Sequence, residues 1–250
     1  MDPATFVVVA AAITVGAAVQ AALGFAFGLI AAPVLLMALQ SGTAVQVLVV
    51  VHLVQSIMLV PGLWRSAPRA LLRPLIASSL IGFPLGLLIF LHLDLTTLTL
   101  AVGLSLVVFS LLLSAREAGW LEFSAVAPEQ LPRWSLVMTG MATGVLTALL
   151  VMPGPPVILL NAWMRMKKDV SRSLSLTFFA FCYVMVTLLH ATAGAMPYSA
   201  WLTALSLAPF VVAGTIAGQC VAARLSEGRF RIAILVVALT SGLYTTYSAL

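Results

Sequence analysis

Few residues in this 250-residue chain could do chemistry inside an apolar matrix: a histidine, some amides, and two clusters of glycine and proline. His52 lies eight residues after Ala44, with Gln55 and Ser56 on its helical face at i+3 and i+4. An imidazole there could hydrogen-bond an anion, and its protonation near neutral pH could add charge or couple solute movement to protons. A neutral ring bonded to a neighbouring carbonyl is the alternative. Gln20 and Asn161 could donate to an anion or tie helices together. Gly24-Phe25-Ala26-Phe27-Gly28 and Pro153-Gly154-Pro155-Pro156 are places where a helix must break and leave backbone N–H groups unpaired. No grouping of Ser, Cys, His or carboxylate supports nucleophilic catalysis, and no spacing suggests a metal site, so neither an enzyme nor a cofactor is expected. Cys182 and Cys220 read as packing residues.

The elements that must position these groups are set by composition. The chain is 62% hydrophobic and 8% charged, far from a soluble domain. Residues 3–64, 74–93, 95–115, 134–164, 173–223 and 232–250 contain no Asp, Glu, Lys or Arg. About 20 apolar residues cross a bilayer as a helix, so the expectation is an all-α, polytopic membrane protein whose first partner is the lipid bilayer. A formal charge of +5 does not make it a nucleic-acid binder, because the basic residues sit in short loops, where they report orientation. Intramembrane acids, usual in proton pumps and cation carriers, are missing.

Most windows divide into single spans: 43–64, 74–93, 95–115, 173–194, 198–223 and 232–250. Two segments do not. Ala4 to Leu39 has 36 residues, about 54 Å as helix against a hydrocarbon core of about 30 Å, too long for one crossing and too short for two. Trp134 to Met164 repeats the problem with 31 residues. Both read as re-entrant hairpins, in which a half-helix enters, unwinds near mid-membrane, and a second half-helix returns to the same face. All twelve Lys and Arg then fall on one face, whereas single crossings would divide them five and seven. The positive-inside bias favours the hairpins, with basic loops cytoplasmic and both termini periplasmic.

Each half is then a hairpin followed by three spans: residues 1–115, with the hairpin at 4–39, and residues 134–250, with the hairpin at 134–164, joined by a cytoplasmic linker at 116–133. Ala32-Pro33-Val34-Leu35-Leu36 resembles Pro155-Pro156-Val157-Ile158-Leu159 at an offset of 123 residues. An odd number of crossings per half inverts the second unit, a plan common in secondary transporters. Gly82-x-x-x-Gly86, Gly140-x-x-x-Gly144 and Gly214-x-x-x-Gly218 are assigned to close helix contact. Trp64, Trp120, Trp134, Trp163 and Trp201 near span ends read as interfacial anchors.

Gly24-Phe25 with Gly28 and Pro33-Val34-Leu35-Leu36 resembles the first glycine-rich signature of the TauE/SafE family of sulfite and organosulfonate transporters, and Gly154-Pro155-Pro156-Val157 resembles its second. The resemblance implies movement of small sulfur-containing anions, such as sulfite or sulfoacetate, across a bacterial inner membrane, with export favoured. The hairpins suggest how: two returning half-helices, starting near Phe27 and Pro156, would aim N-terminal dipole ends at one cavity and together supply roughly one positive charge. The candidate binding residues are Gln20, Gly24, Phe25, Gly28, His52 and Gln55 in the first half, and Gly154, Pro155 and Asn161 in the second. A passive anion channel and a non-transporting assembly factor are the alternatives, and the sequence leaves the oligomeric state open.

Overall fold

The computed structural model describes residues 1–120, 126, 130–222 and 227–249. Part of the expected linker at 116–133, residues 121–125 and 127–129 with Glu122, Pro128 and Glu129 among them, lies outside the described residues. The architecture is all-helical: α1 Pro3–Leu23, α2 Phe27–Leu39, α3 Thr43–Leu59, α4 Arg69–His92, α5 Leu95–Glu117, α6 Arg133–Leu150, α7 Gly154–Trp163, α8 Lys168–Thr192, α9 Tyr198–Ala222 and α10 Glu227–Ser248. A 3-10 turn at Val60–Gly62 extends α3. Seven of these helices are long and apolar enough to cross a membrane.

Local chemistry explains the boundaries of the unusual segments. Asp2 caps α1 by accepting the Thr5 N–H, and Pro3 occupies the first turn, where its missing N–H costs nothing. The helix runs until Gly24, which takes a left-handed φ of 89° and turns its N–H back to the Gln20 carbonyl. α6 ends the same way at Val151, at φ 57° with its N–H on Thr147, although a β-branched residue strongly disfavours that region. Pro155 and Pro156 fall in the first turn of α7, so the doublet that could not sit inside a crossing helix starts one instead. Pro33 lies inside α2 and is not its counterpart. The helix ends pair at a spacing of 127 residues, Gly24 with Val151 and Phe27 with Gly154, rather than the 123 of the residue match.

Both awkward segments fold back on themselves. A Cβ on Gly16 would lie 3.2 Å from the Phe27 carbonyl oxygen, so α2 returns beside α1. One groove is lined by Trp134 and Ser135 from the start of α6 together with Leu160 and Trp163 from the end of α7. The expectation of two half-helices per hairpin needs correcting. α1 has 21 residues and α6 has 18, about 31 and 27 Å, and only the returning arms, 13 and 10 residues, are short. An apolar helix satisfies its own backbone and has no reason to stop before a residue that can cap it.

These long first arms lie along full-length helices. Gly214 and Gly218 of α9 press against the Thr14 and Ala18 carbonyls of α1, and Gly82 and Gly86 of α4 press against the Met141 and Val145 carbonyls of α6. A side chain at any of the four would collide with backbone, so glycine is what brings the helix axes together. α5 packs chiefly on α10. α3 and α8 lie antiparallel at the centre: Gln46 near the start of α3 donates to Ala195 beyond the end of α8, while Ser173 near the start of α8 donates to Leu63 beyond the end of α3. Lys168 and Arg172, expected in a loop, form the first turn and a half of α8. Lys168 is exposed, and Arg172 is half-buried with its guanidinium donating to the Ala21 carbonyl in the last turn of α1.

Candidate substrate site

The two chain breaks meet. Phe25 and Ala26 from the first, and Val151, Met152, Pro153 and Gly154 from the second, line one cavity together with Gln20, Gly28, Pro155 and Tyr183. A Cβ on Gly28 would lie 3.1 Å from the Val151 carbonyl oxygen, and one on Gly154 would lie 3.8 Å from Phe25 Cβ. The cavity has about 20 Å³, the room of about one water. Apart from Gln20 and Tyr183 its side-chain walls are apolar, so a polar solute there would depend on backbone groups and these two residues.

Gln20 also serves the local structure. Its Oε1 accepts the Phe27 N–H at 3.3 Å, filling one of the unpaired positions at the start of α2. The N–H groups of Gly28 and Leu29 are the next in that turn without an intrahelical acceptor, whereas Pro155 and Pro156 offer none at the start of α7. The first break is therefore the richer donor.

His52 stands behind this wall. Its ring is stacked on Phe27, 4.2 Å away between centroids, and lies tilted against Tyr183, 4.5 Å away. Nδ1 donates to the Leu48 carbonyl at 2.7 Å, which leaves Nε2 of the neutral ring as an acceptor, buried and without a partner, about 4.0 Å from where a Gly28 Cβ would be. His52 is thus bonded to its own helix and still presents a lone pair toward the break. Ser56 is bonded to the His52 carbonyl and does not reach the cavity.

The remaining candidates divide. Gly24 and Asn161 line a second, polar chamber adjoining the first, together with Phe25, Arg165, Lys168, Ser171 and Ser175. Gln55 lines neither: its Nε2 donates to the Ala17 carbonyl and to Thr215 Oγ1, tying α3 to α1 and α9. Tyr183, Ser171, Ser175 and Arg165 were not legible as site residues, because nothing in their spacing marks which helix they will face. No group of His, Cys, Asp or Glu among the described residues could hold a metal ion.

Helices that reverse at capped breaks, and breaks that share a cavity bounded by helix starts, define a polytopic membrane transport protein. Residues 8–245 match the family described as sulfite exporter TauE/SafE, and the chain belongs to that family. Its members are membrane transporters, not enzymes, and the family implies a small anionic solute. No curated protein and no solved structure matches the chain.

Proposed function

We propose that this protein is a secondary transporter that exports sulfite or a related organosulfonate by alternating access. The observation that carries the reading is the shared cavity, where the starts of α2 and α7 come together without a buried Lys or Arg. Helix N-termini suit an anion, and the name of the family supports both the solute class and the direction. The cavity holds about one water, less than a three-oxygen anion needs, and Phe25 and Ile158 line both it and the neighbouring chamber. A cavity smaller than the solute favours alternation over a passive channel, which requires a continuous path.

The transport cycle is read as one half of the chain, 1–115, rocking against the other, 134–250, as inverted repeats. The common spacing of 127 residues at the breaks and the matched glycine contacts of α1 with α9 and α6 with α4 support that symmetry. The described basic side chains Arg65, Arg69, Arg73, Arg133, Arg165, Lys167 and Lys168 would then face the cytoplasm of a bacterial inner membrane, with the Gln40 and Asp94 turns on the periplasmic side. His52 is the group through which protons would couple to the solute.

The test is sulfite flux into proteoliposomes containing Gly154→Leu. The Cβ position at Gly154 has ordinary contacts and its φ is not left-handed, so the protein folds while the longer side chain fills the cavity. Flux is expected to fall to background, and a folded variant with normal flux overturns the site. A sulfite gradient that drives no second ion uphill would favour the channel.

A further inference from the structure

The chamber beside the central cavity carries more polar chemistry than the cavity itself. It has about 240 Å³ and opens beside the exposed Arg165 and Lys168, and no carboxylate lines it among the described residues. Its wall is built by a hydrogen-bonded cluster at the corner between α7 and α8. Asn161 Nδ2 donates to Ser171 Oγ at 2.8 Å and to Ser175 Oγ at 2.9 Å. Each hydroxyl receives a hydrogen bond and keeps its own proton to give. Asn161 is only 6% exposed, and its Oδ1 has no partner. With the amide turned the other way, the serines would donate to its oxygen and the NH₂ would be the unpaired end. Both arrangements leave buried hydrogen-bond donors for an incoming acceptor.

The backbone at this corner is also unusual. Arg165 takes a φ of 45°, a left-handed conformation uncommon for a side chain of this size, and this bend brings the residue into the chamber wall. Arg172, one turn further, is engaged with the Ala21 carbonyl and does not line the chamber. Phe25 and Ile158 line both spaces, so two apolar side chains lie where the two adjoin.

We propose that the chamber is a second anion site, where the Ser171–Ser175–Asn161 cluster and the charges of Arg165 and Lys168 hold a small oxyanion before Phe25 and Ile158 part to admit it. Donors set in a positive recess select an oxyanion over an apolar or cationic solute. Passage onward rests on the transport reading above; binding in the chamber does not.

Sodium sulfite titrated calorimetrically into the purified protein is expected to fill one more site in the wild type than in Ser171→Ala/Ser175→Ala. Arg165→Gln is expected to weaken the affected site by about tenfold, and Arg165→Lys to restore it. In proteoliposomes of known orientation, Arg165→Gln raises the KM for sulfite offered at the basic end by about the same factor. KM from the opposite end is unchanged, a one-sidedness that a general loss of stability would not produce. A folded double variant that binds as many sulfite ions as the wild type overturns the proposal; if that variant unfolds, unaltered sulfite affinity in Arg165→Gln overturns it instead. Sulfite bound here without flux would retire the transport reading and leave this site standing, whereas flux with unaltered affinity in both variants would do the reverse.

Discussion

Gly24 and Gly154 sit at matching chain breaks, yet a leucine does different things at the two. At Gly24 the φ of 89° disfavours any side chain, and a Cβ would lie 3.4 Å from the Arg172 Cα, so Gly24→Leu is expected to lower the unfolding temperature markedly. Gly154→Leu should keep that temperature within a few degrees and lose only flux. His52 requires similar care. His52→Ala would leave a cavity between Phe27 and Tyr183 costing about 2–4 kcal/mol, so His52→Phe is the better probe because it keeps a ring and removes the nitrogen. It is expected to flatten the dependence of sulfite flux on pH in the near-neutral window. The carboxylates at the turns do not contribute there. Thr5 and Thr97 hydrogen bonds hold Asp2 and Asp94 below the usual carboxylate range. A depressed folded-state value gives stability that is present at neutral pH and lost only as pH falls through it, on the acid side of this window. An unchanged profile in His52→Phe would reduce His52 to packing.

At the scale of elements, the glycines of α9 and α4 decide how closely the long hairpin arms lie against their neighbours. Gly218→Val places methyl groups against the Ala18 carbonyl, and the expected result is loss of folded protein from the membrane fraction, since no flexible side chain can give way. Gly62→Ala is the matched control: nothing lies within 4 Å of its Cβ position, and expression should match the wild type. Gln55 belongs at this scale too. Its amide ties three helices, so Gln55→Leu should cost about 1–3 kcal/mol of stability and leave the KM for sulfite unchanged. A raised KM would return it to the binding site. Glycine-x-x-x-glycine was legible as a helix contact because the motif acts through its own missing side chains. Gln55 was not legible, because an amide at that depth serves an anion or a carbonyl equally well until the neighbouring helix is known.

For the whole molecule, the decisive expectation is that Gln40 and Ser66 emerge on opposite sides of the membrane. Cys220 is exposed and would react, so a Cys220→Ser background is needed, while the buried Cys182 can remain. In intact cells, a membrane-impermeant maleimide should label Gln40→Cys from outside and leave Ser66→Cys unlabelled until the membrane is opened. Labelling of both, or the reverse order, would overturn the orientation inferred from the basic loops. Carried to positions on each side of α1–α2 and of α6–α7, the same labelling tests the halves as inverted units, because a single crossing by either segment would put its flanking loops on opposite sides of the membrane.

Sequence alone determined the membrane class, the two chain reversals and the helices around them, since hydrocarbon thickness, the missing side chain of glycine and the missing N–H of proline act locally. It placed Gly28, Phe25 and Pro155 near the breaks, but a break exposes donors without saying what they face. Only the tertiary structure decided that the two breaks share one cavity, that Gln55 turns away from it, and that Tyr183, Ser171, Ser175 and Arg165 join the two spaces around it. Those outcomes depend on how α3 and α8 cross and how closely glycine lets α1 and α6 approach their neighbours, contacts between residues 59 to 200 positions apart.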